Sequence, residues 1–194
     1  MDFLLADYRE HQGRYDRIVS VGMFEHVGRP FHKRYFACVD HLLAPDGVAL
    51  IHTIGRTGPP GVTNPWIQRY IFPGGSTPAL SELATAVEST SLRCTDIEVW
   101  RLHYAHTLRH WFDRFQQHRS EIAASMQEEF CRMWEFYLAA SECAFRYMGM
   151  NNFQIQFVKN QNALPLTRNY MLAEEERLRS IDSKMPRFKS VPAE

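Results

Sequence analysis

Tyr15-Asp16-Arg17-Ile18-Val19-Ser20-Val21-Gly22 combines a β-branched centre with a terminal glycine. This pattern predicts a buried β-strand. A helix is predicted to follow, because Pro30 suits a first helical turn and apolar residues then recur at spacings of three and four as far as Leu42. The turn sequence Ala-Pro-Asp-Gly at residues 44–47 leads into a second buried strand over residues 47–51. Strand, helix and strand make the βαβ unit of a parallel sheet, so the chain is predicted to have an α/β fold.

The second half of the chain is predicted to add two strands separated by a long helical insert. A short helix is predicted at residues 80–87, and strands are predicted at residues 92–102 and 153–159. Between these strands, apolar residues recur at helical spacing over residues 105–117 and again over residues 120–148, which predicts two amphipathic helices. An insert of roughly forty-five residues is far longer than a usual connection. We therefore expect it to form a lid over the sheet.

The last predicted strand and the C-terminal tail differ in character. Apolar residues alternate with Gln154 and Gln156 in the strand, which predicts either an edge strand or a strand with one face in solvent. After Tyr170 the sequence is polar and rich in charge. Residues 172–194 are therefore predicted to be a disordered tail beyond a domain that covers residues 1–171.

Composition excludes several classes of function. The chain has 194 residues with 22 Lys and Arg against 22 Asp and Glu, so its formal net charge is zero. Balanced charge argues against binding to nucleic acid. The four cysteines form no CxxC pair, which argues against a zinc ribbon and a secreted disulfide framework and favours a cytoplasmic protein. No stretch of 18 consecutive apolar residues is present, so no transmembrane segment is predicted.

Two polar residues follow the two predicted parallel strands. Glu25 lies just after the first strand and His52 lies at the end of the second. Because ligands of open α/β sheets bind outside the carboxyl ends of the strands, these residues are candidates for a shared site. The alternatives are that Glu25 is an ordinary surface acid and that His52 is a structural hydrogen-bonding residue.

A metal site is considered at three histidines. His103, His106 and His110 have the spacing of ligands on one helical face, but no cysteine or acidic partner completes a known motif. We therefore predict no metal site.

Five stretches together resemble the cyclopropane-fatty-acyl-phospholipid synthase family. They are YDRIVSVGMFEHVG at residues 15–28, LIHTIG at 50–55, NPWIQRYIFPGG at 64–75, LHYAHTL at 102–108 and PLTRNYM at 165–171. The resemblance runs from Asp2 to about Met171. It implies a partial class I methyltransferase, Rossmann-like sheet, with a helical lid inserted between the last two strands. It also implies that S-adenosylmethionine donates a methyl group to a cis double bond of a phospholipid acyl chain, with bound bicarbonate as the base.

The resemblance assigns a bicarbonate pocket residue by residue. It implies that Glu25, His52, the backbone of Ile54 and Tyr104 hold the ion, and that Glu25, His52 and Tyr104 are the catalytic side chains. The arrangement is chemically reasonable because a tyrosine hydroxyl, a histidine and a backbone N–H can donate to an oxyanion. Glu25 can accept the ion's own O–H and raise its basicity.

The resemblance also implies residues for the cofactor and the acyl chain. Ala6, Asp7 and Tyr8 match the family stretch that flanks the adenine. Tyr70 and Phe72 match a segment that surrounds the substrate channel. The family often has a cysteine where this chain has Ser141, so a role for that thiol is not carried over and Ser141 stands as a channel residue only.

The family's glycine-rich cofactor loop has no counterpart in the sequence, and the chain resembles the C-terminal part of the family. We expect such a truncated form to be inactive alone and to associate through an exposed strand edge, which keeps a homo-oligomer open. The partner is expected to be phospholipid at a membrane surface, with peripheral association at the inner face. The alternatives are a non-catalytic lipid-binding or interaction module and a related lipid C-methyltransferase with a different product.

Overall fold

The computed structural model describes residues 2–183. Its helices and strands are β1 (Tyr15–Val21), α1 (His32–Leu42), β2 (Leu43–Arg56), α2 (Pro65–Tyr70), α3 (Leu80–Val87), β3 (Arg93–Val99), α4 (His103–Tyr147), β4 (Met150–Val158) and α5 (Asn169–Asp182). Two short 3₁₀ turns, Phe24–His26 and Arg29–Phe31, lie between β1 and α1. The chain divides into two units, residues 1–161 and residues 162–194.

The four strands form one open sheet in the order β1-β2-β4-β3. β1 and β2 are parallel and are joined by α1, which confirms the predicted βαβ unit. β4 is antiparallel to both β2 and β3 and lies between them. The prediction that the last strand lies at an edge is therefore wrong. The alternating glutamines reflect the two faces of the strand and not an edge position. Phe153, Ile155 and Phe157 are buried on one face, and Gln154 and Gln156 are half-buried on the other.

One face of the sheet packs against α1 and α3. The buried side chains of this core include Phe24, Phe36, Leu83, Ile51, Ile155 and Phe157. Aromatic rings make its centre, since Phe36 lies 5.5 Å from both Phe24 and Phe157 between ring centroids. Phe24 belongs to the turn that directly follows β1. The core therefore anchors the connection in which the candidate acid, Glu25, is found.

The predicted helical lid is confirmed, because α4 lies between β3 and β4 in the chain. Its two helices meet at Gln127, where φ is 71° and ψ is 158°, and not at residues 118–119 as predicted. The first helix continues past the predicted break. Arg119, on this helix, forms ion pairs with Glu128 and Glu135 on the second helix, and its Nε lies 2.7 Å from Oε1 of Glu135. These pairs show that residues 103–126 and 128–147 fold back on each other as a helical hairpin.

β1 is an edge strand of the sheet and none of its residues is buried, so the prediction of a buried strand is wrong. Val19 is 66% exposed and Val21 is 65% exposed. An edge strand presents unpaired backbone groups that another chain can pair with. Self-association through this edge stays a prediction.

The predicted disorder after residue 171 is wrong for the part that the structure describes. α5 covers Asn169–Asp182, and none of its residues is buried. Charged residues mislead here because Arg177 pairs with Glu174 and Arg179 with Glu175, and such pairs three or four positions apart support an exposed helix. Residues 184–194 lie outside the described residues. Within residues 2–183, no helix has the length and apolar character needed to cross a bilayer.

Candidate active site

Glu25 is held in a turn that is fastened to the neighbouring strand. β1 ends at Val21, and Gly22, with φ of 65°, donates its N–H to the carbonyl of His52 at 3.1 Å. The 3₁₀ turn Phe24–His26 then buries Glu25, which is 9% exposed. Ser76 donates its N–H to the carbonyl of Glu25 at 2.7 Å. The backbone on both sides of the acid is therefore fixed.

The carboxylate of Glu25 has one oxygen occupied and one oxygen free. Its Oε1 accepts the backbone N–H of Ile54 at 2.7 Å, so the predicted anion donor at Ile54 serves Glu25 in this structure. Its Oε2 is buried and has no hydrogen-bond partner. A buried carboxylate oxygen without a donor is unfavourable, so this atom marks a place where a ligand O–H would be stabilised.

His52 lies within β2, opposite Val21 of β1 and Gln154 of β4, with four residues of the strand still to follow. Its predicted position at the end of the strand is therefore wrong. Its side chain is buried, and its Nε2 lies 3.4 Å from the hydroxyl of Tyr104 and 3.3 Å from Nδ2 of Asn152. Burial lowers the pKa of His52, and the carboxylate of Glu25 acts in the opposite direction. The net pKa is below the usual value of 6.5, so the imidazole is neutral near pH 7.

Tyr104 comes from the first turn of α4 and completes the group. Its ring packs against Phe145, from the end of the same helical hairpin, at 5.5 Å between centroids. The structure therefore brings Glu25, His52 and Tyr104 together from three separate parts of the chain. Their assignment as catalytic side chains stays a prediction.

An apolar wall adjoins this polar group. Tyr137 is 8% exposed, and its ring lies 6.0 Å from Phe72. Phe72 also lies 6.0 Å from the ring of His26, which follows Glu25 in the chain. Burial raises the pKa of Tyr137, while a hydrogen bond with Ser141 acts in the other direction. Two predicted channel residues, Phe72 and Ser141, thus meet at Tyr137.

Comparison with known proteins gives the chain a family. The family model described as "Mycolic acid cyclopropane synthetase" matches residues 1–155. The chain belongs to this family. It is 40% identical over 169 residues to the cyclopropane-fatty-acyl-phospholipid synthase of Escherichia coli strain K12, across 85% of this chain and 43% of that protein. It is 44% identical over 148 residues to the tuberculostearic acid methyltransferase UfaA1 of Mycobacterium tuberculosis, across 73% of this chain and 35% of that protein.

Solved structures agree with this family and with the fold. The cyclopropane synthase MmaA2 from Mycobacterium tuberculosis superposes with a TM-score of 0.73 at 31% identity, across 81% of this chain and 62% of that chain. The mycolic acid cyclopropane synthase CmaA1, complexed with SAH and CTAB, superposes with a TM-score of 0.72 at 29% identity, across 79% of this chain and 59% of that chain. The Rossmann-like methyltransferase fold is confirmed. The chain spans less than half the length of the Escherichia coli relative.

The residues predicted to flank the adenine precede β1. Ala6 is exposed, and Tyr8 packs its ring edge-on against Tyr35 at 5.7 Å. Hydrogen bonds from Arg9 lower the pKa of Asp7 to about 2, so this carboxylate is charged and already paired. The role of Ala6, Asp7 and Tyr8 in cofactor binding stays a prediction for this member of the cyclopropane synthetase family.

Tyr70 and His103, singled out in the sequence, make ring contacts with tryptophans. Tyr70 is 49% exposed at the end of α2, where its ring lies 5.5 Å from Trp66. The ring of His103 stacks on Trp100 at 5.1 Å. Among residues 2–183, no three His, Cys, Asp or Glu side chains are grouped so that they could hold a metal ion.

Sequence reasoning missed two residues of the site. Tyr137 looked like an ordinary apolar position of an amphipathic helix, and its contact with Phe72 depends on the hairpin geometry. Asn152 was overlooked within the start of the last strand. Asparagine is depleted in strands, so two successive asparagines at residues 151 and 152 are the signal that could have identified it.

The buried histidines predict a loss of stability in mild acid. Burial lowers the pKa of both His32 and His52 below the usual 6.5. As the pH falls through 6.5, these histidines bind protons in the unfolded chain before they do so in the folded chain. The free energy of unfolding therefore decreases. We expect a lower melting temperature at about pH 5.5 than at about pH 7.5. A His32→Gln/His52→Gln variant should show a weaker pH dependence, and an equal dependence in both proteins would contradict this explanation.

Proposed function

We propose that this chain supplies the acyl-chain and base portion of an S-adenosylmethionine-dependent enzyme that cyclopropanates cis double bonds of phospholipid acyl chains. The observation that carries the proposal is the buried Oε2 of Glu25, which has no donor and lies in the same group as His52 and Tyr104. The Escherichia coli relative bears the name of this activity. A polar group of this kind beside an aromatic wall suits a reaction in which a proton is lost in an apolar cavity.

The reaction defines what the residues must do. S-adenosylmethionine supplies an electrophilic methyl group: the alkene π electrons form the new C–C bond, and the S–C electron pair stays on sulfur. The resulting carbocation then loses a proton from the new methyl group, and the electrons of that C–H bond close the ring. In this proposal the buried Tyr137 and the partly exposed Phe72 would exclude water from the cation, since water would trap it as an alcohol.

The residues present fit a bound bicarbonate as the base. Oε2 of Glu25, which has no other hydrogen-bond partner, can accept the single O–H of the ion. The hydroxyl of Tyr104 can donate a hydrogen bond to the anion. His52 is neutral, so it can carry one ring N–H without forming an ion pair that would immobilise the bicarbonate. Bicarbonate held there would supply the base that accepts the proton from the substrate cation. Glu25 would orient it and strengthen its basicity.

An aromatic surface beside α2 supports access to lipid. Phe136 is 56% exposed and lies 4.7 Å from Trp66 between ring centroids. Tyr70 completes the surface, and the guanidinium of Arg69 lies 5.4 Å from the Tyr70 ring. Trp and Tyr side chains favour the bilayer interface, and arginine is attracted to anionic headgroups. We take this surface to rest on the phospholipid membrane, which makes the association peripheral.

Binding to vesicles tests this surface. The chain is expected to cosediment with vesicles that contain anionic phospholipid, and Phe136→Ser together with Arg69→Glu should weaken binding by about tenfold, because apolar burial and one charge contact are both lost. Exposed Trp111→Ser, on the first helix of α4, is the matched control. Equal binding by the wild type and the Phe136/Arg69 variant would contradict the assignment of the surface.

The product distinguishes this function from its alternatives. We would replace the aligned 169-residue segment of the Escherichia coli relative with this chain's segment and express this chimeric synthase in cells that lack their own enzyme. Cyclopropane fatty acids in the phospholipids are expected. Methyl-branched or methylene products would favour a C-methyltransferase, which the UfaA1 relative suggests. Lipid binding without any product would favour a non-catalytic module.

A further inference from the structure

Asn152 is a fully buried polar residue that the proposed chemistry does not use. It lies on β4 opposite Ile54 of β2, and it is 0% exposed. Its backbone carbonyl accepts the N–H of Trp100 at 2.9 Å, which fixes the main chain at this position. A buried asparagine in a central strand is unfavourable unless its amide is well bonded, so its side chain needs an explanation.

The amide of Asn152 contacts the catalytic candidate His52. Nδ2 of Asn152 lies 3.3 Å from Nε2 of His52. With the amide oriented as in the structure, Nδ2 can only donate, so Nε2 of His52 is the acceptor and the ring proton is assigned to Nδ1. Oδ1 of Asn152 is buried and accepts no hydrogen bond from any of the described residues.

This arrangement changes what Tyr104 can do. Its hydroxyl lies 3.4 Å from the same Nε2, close to the 3.3 Å of the Asn152 amide, so the two donors compete for one lone pair. When Asn152 occupies the lone pair of Nε2, the hydroxyl proton of Tyr104 is free for another acceptor. The groups that face His52 are the carboxylate of Glu25, the hydroxyl of Tyr104, the amide of Asn152 and the ring of Trp100. Of these, Glu25 is the only acidic side chain.

We propose that Asn152 is a positioning residue that holds His52 neutral with its proton on Nδ1 and so frees the hydroxyl of Tyr104 to donate to a bound anion. The tautomer follows from the orientation of the Asn152 amide in the structure. The last step, donation to an anion, rests on the proposed function. Asn152 does not touch the reacting atoms in this scheme, and it acts through His52.

Nitrogen NMR of the histidine side chains in the full chain tests the tautomer without any activity. At about pH 7.5 the wild type is expected to show His52 with a protonated Nδ1 and a bare Nε2. In Asn152→Asp the new carboxylate can only accept, so the proton should move to Nε2 and the proton affinity of His52 should rise roughly tenfold or more. In Asn152→Leu, which matches the size of asparagine but cannot donate, a single fixed tautomer should be lost.

Two internal references keep the test sharp. His32 is buried elsewhere with its ring tilted against Phe24, so its signals should not change in the Asn152 variants. Asn151→Asp places the same substitution one residue earlier, where the amide bonds Thr57 and the carbonyl of Gly149, and it should leave the His52 tautomer intact. A proton on Nε2 in the wild type, or an unchanged tautomer in both Asn152→Asp and Asn152→Leu, would overturn the proposal. A correct tautomer in a chimera that makes no product would overturn only the proposed function.

Discussion

Glu25→Gln in the chimeric synthase is expected to lower turnover roughly a hundredfold or more while lipid binding changes little. Glutamine can keep the contact with the backbone N–H of Ile54 through its own oxygen. Its amide nitrogen would replace Oε2, the oxygen that has no partner in the structure. The variant therefore removes the acceptor and the negative charge and keeps the shape. Turnover is measured as labelled methyl transferred into phospholipid.

Variants of the neighbouring side chains decide whether Glu25 acts within one group. His52→Ala and Tyr104→Phe should impair the same step, and each should add little to Glu25→Gln, because all three weaken one bound ion. Added bicarbonate should partly restore variants that merely bind the ion less tightly. Glu88→Gln, an exposed carboxylate on the far end of α3, is the matched control. Full turnover in Glu25→Gln, or turnover that is indifferent to the removal of bicarbonate, would contradict the role of this site.

The sheet could be predicted from sequence where local patterns and tertiary packing agree. β1 has a β-branched centre and matches its predicted bounds, although its predicted burial is wrong because it forms the edge of the sheet. β2 is longer than predicted, because its residues 43–46 continue into the strand although their Ala-Pro-Asp sequence is typical of a turn. α2 was not predicted, since six residues are too few to show helical periodicity; an Asn64 cap and Pro65 begin it. The local sequence signals at the start of β2 and at α2 were weak, and contacts with distant parts of the chain determine the secondary structure there.

The sequence pointed to three of the side chains that the structure groups together, but not to Tyr137 or Asn152 and not to the contacts between them. Placement at strand ends selected Glu25 and His52, and family resemblance added Tyr104. No sequence pattern indicates that the Ile54 N–H is donated to Glu25, because that bond depends on how the turn after β1 lies against β2. The same holds for Asn152, whose contact with His52 requires β4 to enter the middle of the sheet. Pairing across the sheet between distant segments is the information that the sequence alone lacks.

Phe24→Ala is expected to lower the free energy of unfolding by about 3–5 kcal/mol, the usual cost of removing a buried aromatic ring. Phe24 is 0% exposed, and its ring lies 4.5 Å from His32, 4.9 Å from Tyr35 and 5.5 Å from Phe36 between centroids. Chemical denaturation measures this change. Phe24→Leu, which leaves a smaller cavity, serves if the alanine variant does not fold. A loss below about 1 kcal/mol for Phe24→Ala would show that the ring is not part of the core.

Phe36→Ala separates stability from the positioning of Glu25. Phe36 is also 0% exposed and packs against Tyr35 and Phe157, so its loss should cost about as much as that of Phe24. Only Phe24 adjoins Glu25 in the 3₁₀ turn. Hydrogen exchange at the Ile54 amide, which donates to Oε1 of Glu25, should therefore accelerate in Phe24→Ala beyond what the global loss explains. In Phe36→Ala the same amide should exchange only as fast as the lower global stability allows. Equal acceleration in both variants would show that the ring cluster supports the sheet without holding the turn.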